Sequence, residues 1–422
     1  MDYGELRSKY GSPLYIYDLN ILRQSCHRLR DALPEPSMLY YSLKANPHPA
    51  IVKQLLDLGC RAEVSSLGEL NSVLEAGGLP RDVLYTGPGK SESELKVAVA
   101  QGVQWFSVES MKELERLRSV VSSGTPPIQV IMRINPDQGL ADAGLAMTGT
   151  PSQFGTDEQK LLRELKEMQE CDEIRIAGFH IFNGTNTANA ERLAESFLSS
   201  IQVIARISKE TGIPLQFVDL GGGFGHPYAV SGPPPDFSEI KVQLETALDE
   251  HMPGWRMGEP AIAYESGRYL SAACGVLVSS VVDIKESKGS RFIVLDSGIH
   301  HLGGMAGLGR IPRVQYDIKP FTEKTDPHPE STHIVGPLCT PLDFFNKKAA
   351  IPSLQLEEQV YIPNVGAYGI TASLLGFLSR EIPVELVVDD GNVKHVSQLA
   401  LTRRTHVNEM HEGRTIHEHG IH

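Results

Sequence analysis

The sequence contains no apolar run approaching the roughly 20 residues that a membrane-spanning helix needs. Met1 to Tyr10 is charged and has no apolar core of the kind a secretory signal carries. No membrane association is expected, and a cytoplasmic location is. Cysteine is scarce: Cys26, Cys60, Cys171, Cys274 and Cys339 are the only five, and no two have metal-site spacing. An odd, sparse set fits reduced thiols in a cytoplasm. Four of them read as packing residues, and Cys339 is treated separately below. Positive charge is in deficit, with 39 Lys and Arg against 52 Asp and Glu. The formal net charge of −13 argues against general nucleic-acid binding and against an acidic membrane surface. There is no internal repeat and no low-complexity linker. Arg404 to His422 holds five of the 15 histidines: His406, His411, His417, His419 and His422. Their irregular spacing and terminal position favour a loose tail over a metal site, and no metal is expected.

What is present is an alternation of strand and helix patterns. Pro13 to Asp18 reads as a short strand and Asn20 to Leu33 as a helix. Leu39 to Leu43 is apolar and aromatic enough for a buried strand, and Asn46-Pro47 stops it. Strands then read at Ala62 to Val64, Val83 to Tyr85, Trp105 to Val108, Ile128 to Ile134, Ile174 to Phe182, Phe217 to Leu220 and Ala261 to Glu265. Helical patterns separate them, several ending at glycine. About eight alternations with short connections indicate a (β/α)8 TIM-like barrel rather than an open sheet. From Tyr269 the rhythm changes: Gly275 to Lys285, Arg291 to Leu295, Gln359 to Ile362 and Val384 to Val388 are strand-like without regular helices between. The expected organisation is a barrel over 30–270, a mainly β domain from 1–29 and 271–400, and a polar tail over 401–422.

In such a barrel the chemistry sits at the C-terminal ends of the strands. Lys44 follows the first strand directly. A lysine there is costly unless it is paired or covalently used. Partial burial is also expected to lower its pKa toward the nucleophilic neutral amine. The plainer alternative, a surface lysine at a strand end, is the better reading on position alone. Glu63 and Ser65 fall at the second strand and Arg133 in the fifth. His180 and Phe182 fall at the sixth, before Asn183-Gly184-Thr185. Next comes Val218-Asp219-Leu220-Gly221-Gly222-Gly223, whose glycines bare backbone N–H groups as an anion nest requires. A triple glycine alone marks a turn as often as a phosphate site, and this one lacks the dinucleotide fingerprint. Last is Glu265-Ser266-Gly267-Arg268. A lysine for an imine, a carboxylate for a pyridinium nitrogen and a glycine–arginine cradle for a phosphate are the three needs of pyridoxal 5'-phosphate.

The sequence resembles the fold-type III pyridoxal-phosphate decarboxylases, the family of diaminopimelate, ornithine and arginine decarboxylases, from Pro13 to about Ser397. The Tyr-x-x-Lys-Ala-Asn motif matches Tyr41 to Asn46 and implies that Lys44 is the Schiff-base lysine. Gly221, Gly222 and Gly223 match the phosphate loop. Glu265 to Arg268 match Glu-x-Gly-Arg, with Glu265 on the pyridine nitrogen and Gly267 and Arg268 on the phosphate. Cys339 to Asp343 match Cys-x-x-x-Asp, and Gly366 to Tyr368 match Gly-Ala-Tyr, whose tyrosine also reaches the phosphate. The resemblance implies the two-domain architecture of alanine racemase and a head-to-tail homodimer with shared active sites. Cys339, as proton donor, and Asp343 would then serve the partner's lysine. Without the motif, Cys339 reads better as a small core hydrophobe.

Departures from the family pattern are informative. Phe182 takes the position of the histidine that usually stacks on the cofactor ring, with His180 two residues earlier. Gln153 stands where many members have lysine. The stretches Gly298 to His301 and Gly336 to Asp343 resemble a biosynthetic-cluster branch that acts on conjugated amino acids or on a glutamyl group carried by an acyl-carrier protein. The expected activity is decarboxylation of an α-amino acid of that kind. Alternatives are a diaminopimelate decarboxylase, an amino-acid racemase, or a non-catalytic decarboxylase-like regulator. Arg310 and Arg313 are candidates for holding a distal substrate carboxylate, at even weight with a plain surface role.

Overall fold

The computed structural model describes residues 3–122, 127–137, 151–167, 172–303, 315–321, 332–349 and 351–404. Cys171, Arg310, Arg313 and the five tail histidines lie outside them. Eight parallel strands close a barrel: Met38–Ser42, Arg61–Val64, Val83–Tyr85, Trp105–Val108, Ile128–Asn135, Ile174–His180, Phe217–Asp219 and Ala261–Ser266. Each pairs with the next in the chain, and the last returns to pair with the first, so the barrel has no edge. The expected (β/α)8 architecture is the observed one.

Local chemistry starts the helices between these strands. Ser66, Ser91 and Ser110 each cap a helix by accepting from the amide three residues on, at Glu69, Glu94 and Glu113. All three are Ser-x-x-Glu capping boxes. In two of them the glutamate also reaches back, Glu69 to the Ser65 amide and Glu113 to the Glu109 amide.

The inward face of the barrel follows the two-residue period of its strands. Tyr40, Leu84, Ile131, Phe217 and Ala263 form a buried apolar layer, with Met38, Trp105 and Ala261 packed on it. Two residues further along, the inward position on every strand, or just beyond it, is polar. These residues are Ser42, Glu63, Thr86, Ser107, Arg133, His180, Asp219 and Glu265, and all eight are buried. The apolar layer closes the barrel below, and the polar ring lines its C-terminal mouth.

The second sheet joins distant parts of the chain. Leu14–Asp18 lies antiparallel to Gly275–Ser287 and parallel to Val384–Asp389. The N-terminal strand thus belongs to the β sheet, as its position before the barrel suggested. Ser290–Leu295, Thr332–Val335 and Phe344–Asn346 extend the sheet on one side, and Asn392–Gln398 on the other. Three of these strands were not read from the sequence: Thr332–Val335, Phe344–Asn346 and Asn392–Gln398. The last had a signal, since Asp390 and Gly391 both take positive φ in the hairpin turn, at 48° and 75°. Leu43 is not strand but opens a 3-10 turn, Leu43–Ala45, and Phe182 lies past the end of its strand. Cys26, Cys60 and Cys274 are buried packing residues, as expected of them.

Lys90 ties the barrel wall together. Its buried Nζ donates to Glu113 at 2.6 Å, to the Ser107 carbonyl at 2.8 Å and to the Gly87 carbonyl. Lys90→Ala leaves the Glu113 carboxylate buried without its cation. The expected loss is about 3–5 kcal/mol of stability, measured as a lowered urea midpoint.

Candidate active site

Lys44 stands in the 3-10 turn that leaves the first barrel strand. Its Nζ lies 3.2 Å from Glu63 Oε2 and 5.6 Å from the centre of the Phe182 ring. The side chain is 43% exposed. The expectation of a lowered lysine pKa is not met. Burial does push the ammonium down, but the carboxylates of Glu63 and Glu265 outweigh it and hold the group above its usual value. Glu63 responds in the opposite sense. Burial would raise it, but the Lys44 ammonium and the Ser42 and Thr86 hydroxyls bring it below the usual carboxylate range.

The rest of the ring assembles around this pair. Arg133 is ion-paired with Glu109 at 2.9 Å. Its guanidinium lies 4.9 Å from the Phe154 ring centre and 5.9 Å from that of Phe182. His180 Nδ1 shares a 2.8 Å hydrogen bond with the Ser107 hydroxyl, and its Nε2 is 3.7 Å from Glu265 Oε1. Burial lowers the His180 pKa well below its usual value, so the imidazole is neutral. Glu265 Oε1 is buried with no hydrogen-bond partner in the described chain. Burial raises Glu265 well above the usual range, with Glu63 and Asp219 adding to the rise.

The glycine loop is shaped by close approach. A Cβ on Gly221 would lie 2.6 Å from the Ile181 carbonyl oxygen, and one on Gly222 would lie 2.3 Å from that of Glu265. Gly221 also takes φ +70°, which favours glycine. Its amide donates to Asp219 Oδ1 at 2.8 Å. The amides of Gly222 and Gly223 have no acceptor among the described residues. Gly267 sits where a Cβ would meet Ala45 Cβ at 2.7 Å, which brings the Arg268 turn against the Lys44 turn. Arg268 Nε is buried and unpartnered, and the guanidinium is 4.6 Å from the Tyr368 ring centre. Tyr368 is anchored through its amide to the Ala45 carbonyl at 2.7 Å. Thr185 is half-buried in the loop after the sixth strand.

A model of the pyridoxal-dependent decarboxylases, pyridoxal binding domain, matches residues 19–272. The chain belongs to this family. It is 31% identical over 390 residues to the L-glutamyl-[BtrI acyl-carrier protein] decarboxylase of Niallia circulans, covering 92% of this chain and 91% of that one. It is 28% identical over 380 residues to the 2-[(L-alanin-3-ylcarbamoyl)methyl]-2-hydroxybutanedioate decarboxylase of Staphylococcus aureus, covering 87% and 92%. The fold matches diaminopimelate decarboxylase from Helicobacter pylori complexed with L-lysine. That match has a TM-score of 0.81 at 25% identity and covers 94% of this chain and 95% of that one.

The cofactor of the decarboxylase is therefore pyridoxal phosphate, and the residues fit it. Lys44 supplies an amine, Glu265 Oε1 an unpaired buried acceptor, and Arg268 Nε an unpaired buried donor. The unpaired amides of Gly222 and Gly223 suit an anion. Sequence reasoning missed two parts of this arrangement. Ser107 orients His180, and the Tyr228 hydroxyl donates to the Tyr368 carbonyl at 2.9 Å. Neither carries a motif, and only the inward parity of the fourth strand pointed to Ser107.

Cys339 is exposed on a loop outside this cluster. Asp343, expected with Cys339 to serve the partner's lysine, is held by backbone within its own chain. It accepts from the Ile299 amide at 2.9 Å and the Leu338 amide at 2.8 Å. Gly298 and Gly336 have no room for a Cβ because this carboxylate lies against them. Asp343 thus positions the Cys339 loop.

Replacing Glu63 with Gln removes the strongest influence that raises the Lys44 amine. The pH at which Lys44 reacts with an amine reagent should fall, raising its labelling at pH 8.5 severalfold in cofactor-free protein, as read by mass spectrometry.

Proposed function

We propose that this decarboxylase removes the α-carboxylate of an amino acid joined to a larger acid or presented on an acyl-carrier protein. The observation that carries the reaction is the Lys44 amine held at the barrel mouth beside Glu63, with Glu265 in the same polar ring. The named activities of the Niallia circulans and Staphylococcus aureus relatives support the substrate class.

Lys44 would hold the cofactor's aldehyde end and Glu265 its ring nitrogen. Gly221, Gly222, Gly223, Gly267, Arg268 and Tyr368 would hold the phosphate. Phe182 would cover a ring face, with Glu63, Arg133, His180 and Thr185 around it. The bound cofactor supplies an electron sink for the pair left as carbon dioxide departs. Lys44 must first lose a proton to act as a nucleophile, and Glu63 Oε2 at 3.2 Å opposes that loss while it holds the amine in place. Phe182 offers an aromatic face without charge. After carbon dioxide leaves, Cys339 of the partner subunit delivers a proton to the α-carbon. Asp343 holds that cysteine's loop in place. The chain acts as a head-to-tail homodimer in this reading.

A free-substrate diaminopimelate decarboxylase is the second reading, favoured by the fold match to the Helicobacter pylori enzyme. A racemase is disfavoured by the carboxylate, rather than an arginine, at the Glu265 position.

Mass spectrometry of free and carrier-tethered amino acids incubated with the protein should show loss of carbon dioxide from the tethered or conjugated ones. Loss confined to free diaminopimelate would select the second reading. Lys44→Ala should abolish turnover and the visible absorbance of the bound cofactor, and turnover surviving without added amine would overturn the Lys44 assignment. Mixing Lys44→Ala and Cys339→Ala proteins should restore up to about one quarter of the activity if sites are shared between two subunits. No recovery above the sum of the separate variants would show that each site is complete within one chain.

A further inference from the structure

The polar ring leaves three buried atoms unpartnered on one side of the barrel: His180 Nε2, Asp219 Oδ2 and Glu265 Oε1. Each residue offers a ligand-type atom within 4.8 Å of the others. The roles proposed above use Glu265 and leave Asp219 without one. Asp219 is fully buried, and the Gly221 amide fixes it by donating to Oδ1 at 2.8 Å. That bond leaves Oδ2 as its free atom. Two carboxylates this close and out of water do not both ionise. Burial raises both, Asp219 up to about 7 and Glu265 well above the usual range, and a hydrogen bond from Glu265 tempers the rise of Asp219, so without cofactor the proton of the pair rests on Glu265. The other groups facing Asp219 are Glu63, Arg133, Tyr40 and neutral His180, which come from four different strands. Arg133 is the one cation among them, and it is paired with Glu109.

We propose that Asp219 is a positioning residue that takes onto Oδ2 the proton Glu265 holds in the cofactor-free chain, and donates it back as a hydrogen bond, so that Glu265 alone meets the cofactor's ring nitrogen as an anion. Ser107 satisfies His180 Nδ1 and leaves the Nε2 side of the imidazole toward Glu265. The ring nitrogen then faces one anion backed by two neutral groups, rather than two competing anions. The proposal rests on the reading of Glu265 given above.

Asp219→Asn and Asp219→Ala separate a donor from an anion. The asparagine keeps the Gly221 bond through Oδ1 and places an N–H donor where Oδ2 stood, whereas the alanine has neither. Titration of full-length, cofactor-free protein with pyridoxal 5'-phosphate should give a Kd for Asp219→Asn within about threefold of the parent. For Asp219→Ala the Kd should rise about tenfold. A second readout needs no cofactor. The folded-state pKa of Asp219 lies above its unfolded value near 3.9, so the parent loses stability as pH rises from about 4 to about 7. Asp219→Asn lacks that loss, so its Tm relative to the parent should be higher at pH 8 than at pH 5.

Four outcomes would overturn the proposal. Asp219→Asn could lose affinity as Asp219→Ala does, which would mean that the anion is needed. Asp219→Ala could bind like the parent. The Tm difference could be independent of pH. Zinc chloride could stabilise the parent but not Asp219→Asn, which would make the cluster a metal site. If Asp219→Ala does not fold, the asparagine variant decides alone. An unchanged cofactor Kd in Glu265→Gln would remove the Glu265 reading, while the pH-dependent Tm difference would still decide the shared proton.

Discussion

A closed barrel has no edge, so every inward side chain must be packed or paired within it. This constraint governs the molecule. The chain meets it with an apolar layer around Tyr40, Ile131 and Phe217, and with a ring of polar groups one step higher. The ring is costly to bury, and it persists because its members pair with one another. Glu63 meets Lys44, Arg133 meets Glu109, and Ser107 meets His180. The members left unpaired, His180 Nε2, Asp219 Oδ2 and Glu265 Oε1, cluster together. Unpaired buried polar atoms are where a ligand gains most from binding.

The second sheet keeps the lysine turn in place. The Tyr368 amide donates to the Ala45 carbonyl, and Asn46 Nδ2 donates to the Gly366 carbonyl at 2.9 Å. Gly366 can approach so closely because it has no Cβ, which would fall 2.0 Å from the Ser271 carbonyl oxygen. Lys44 is therefore flanked by the barrel strand before it and by a loop more than 300 residues later in the chain. Bringing Tyr368 to this turn also sets its ring beside Arg268.

Much of this was legible because strand and helix periodicities are local. The eight barrel strands were read within a few residues of their bounds, and the polar ring follows from their period of two. What failed were long-range facts. Thr332–Val335 is short and pairs with a strand some 40 residues earlier in the chain, so nothing local marks it. Asp343 was legible only as part of the Cys-x-x-x-Asp motif, which says nothing of its surroundings. Its partners within the chain, the Ile299 and Leu338 amides, arrive only through folding. The Lys44 pKa was misjudged for the same reason. Burial was predictable, but the two carboxylates that overrule it come from the second and eighth strands.

The sequence by itself determined the alternation of strand and helix, the capping boxes and the motifs that carry Lys44, the glycine loop and Arg268. Each depends on residues a few positions apart. Only the tertiary structure decided which charges face one another: that Glu63 keeps Lys44 protonated, that Asp343 holds a loop, and that Asp219 lies behind Glu265. Electrostatic effects depend on distance in space and on exclusion of water, and barrel closure sets both.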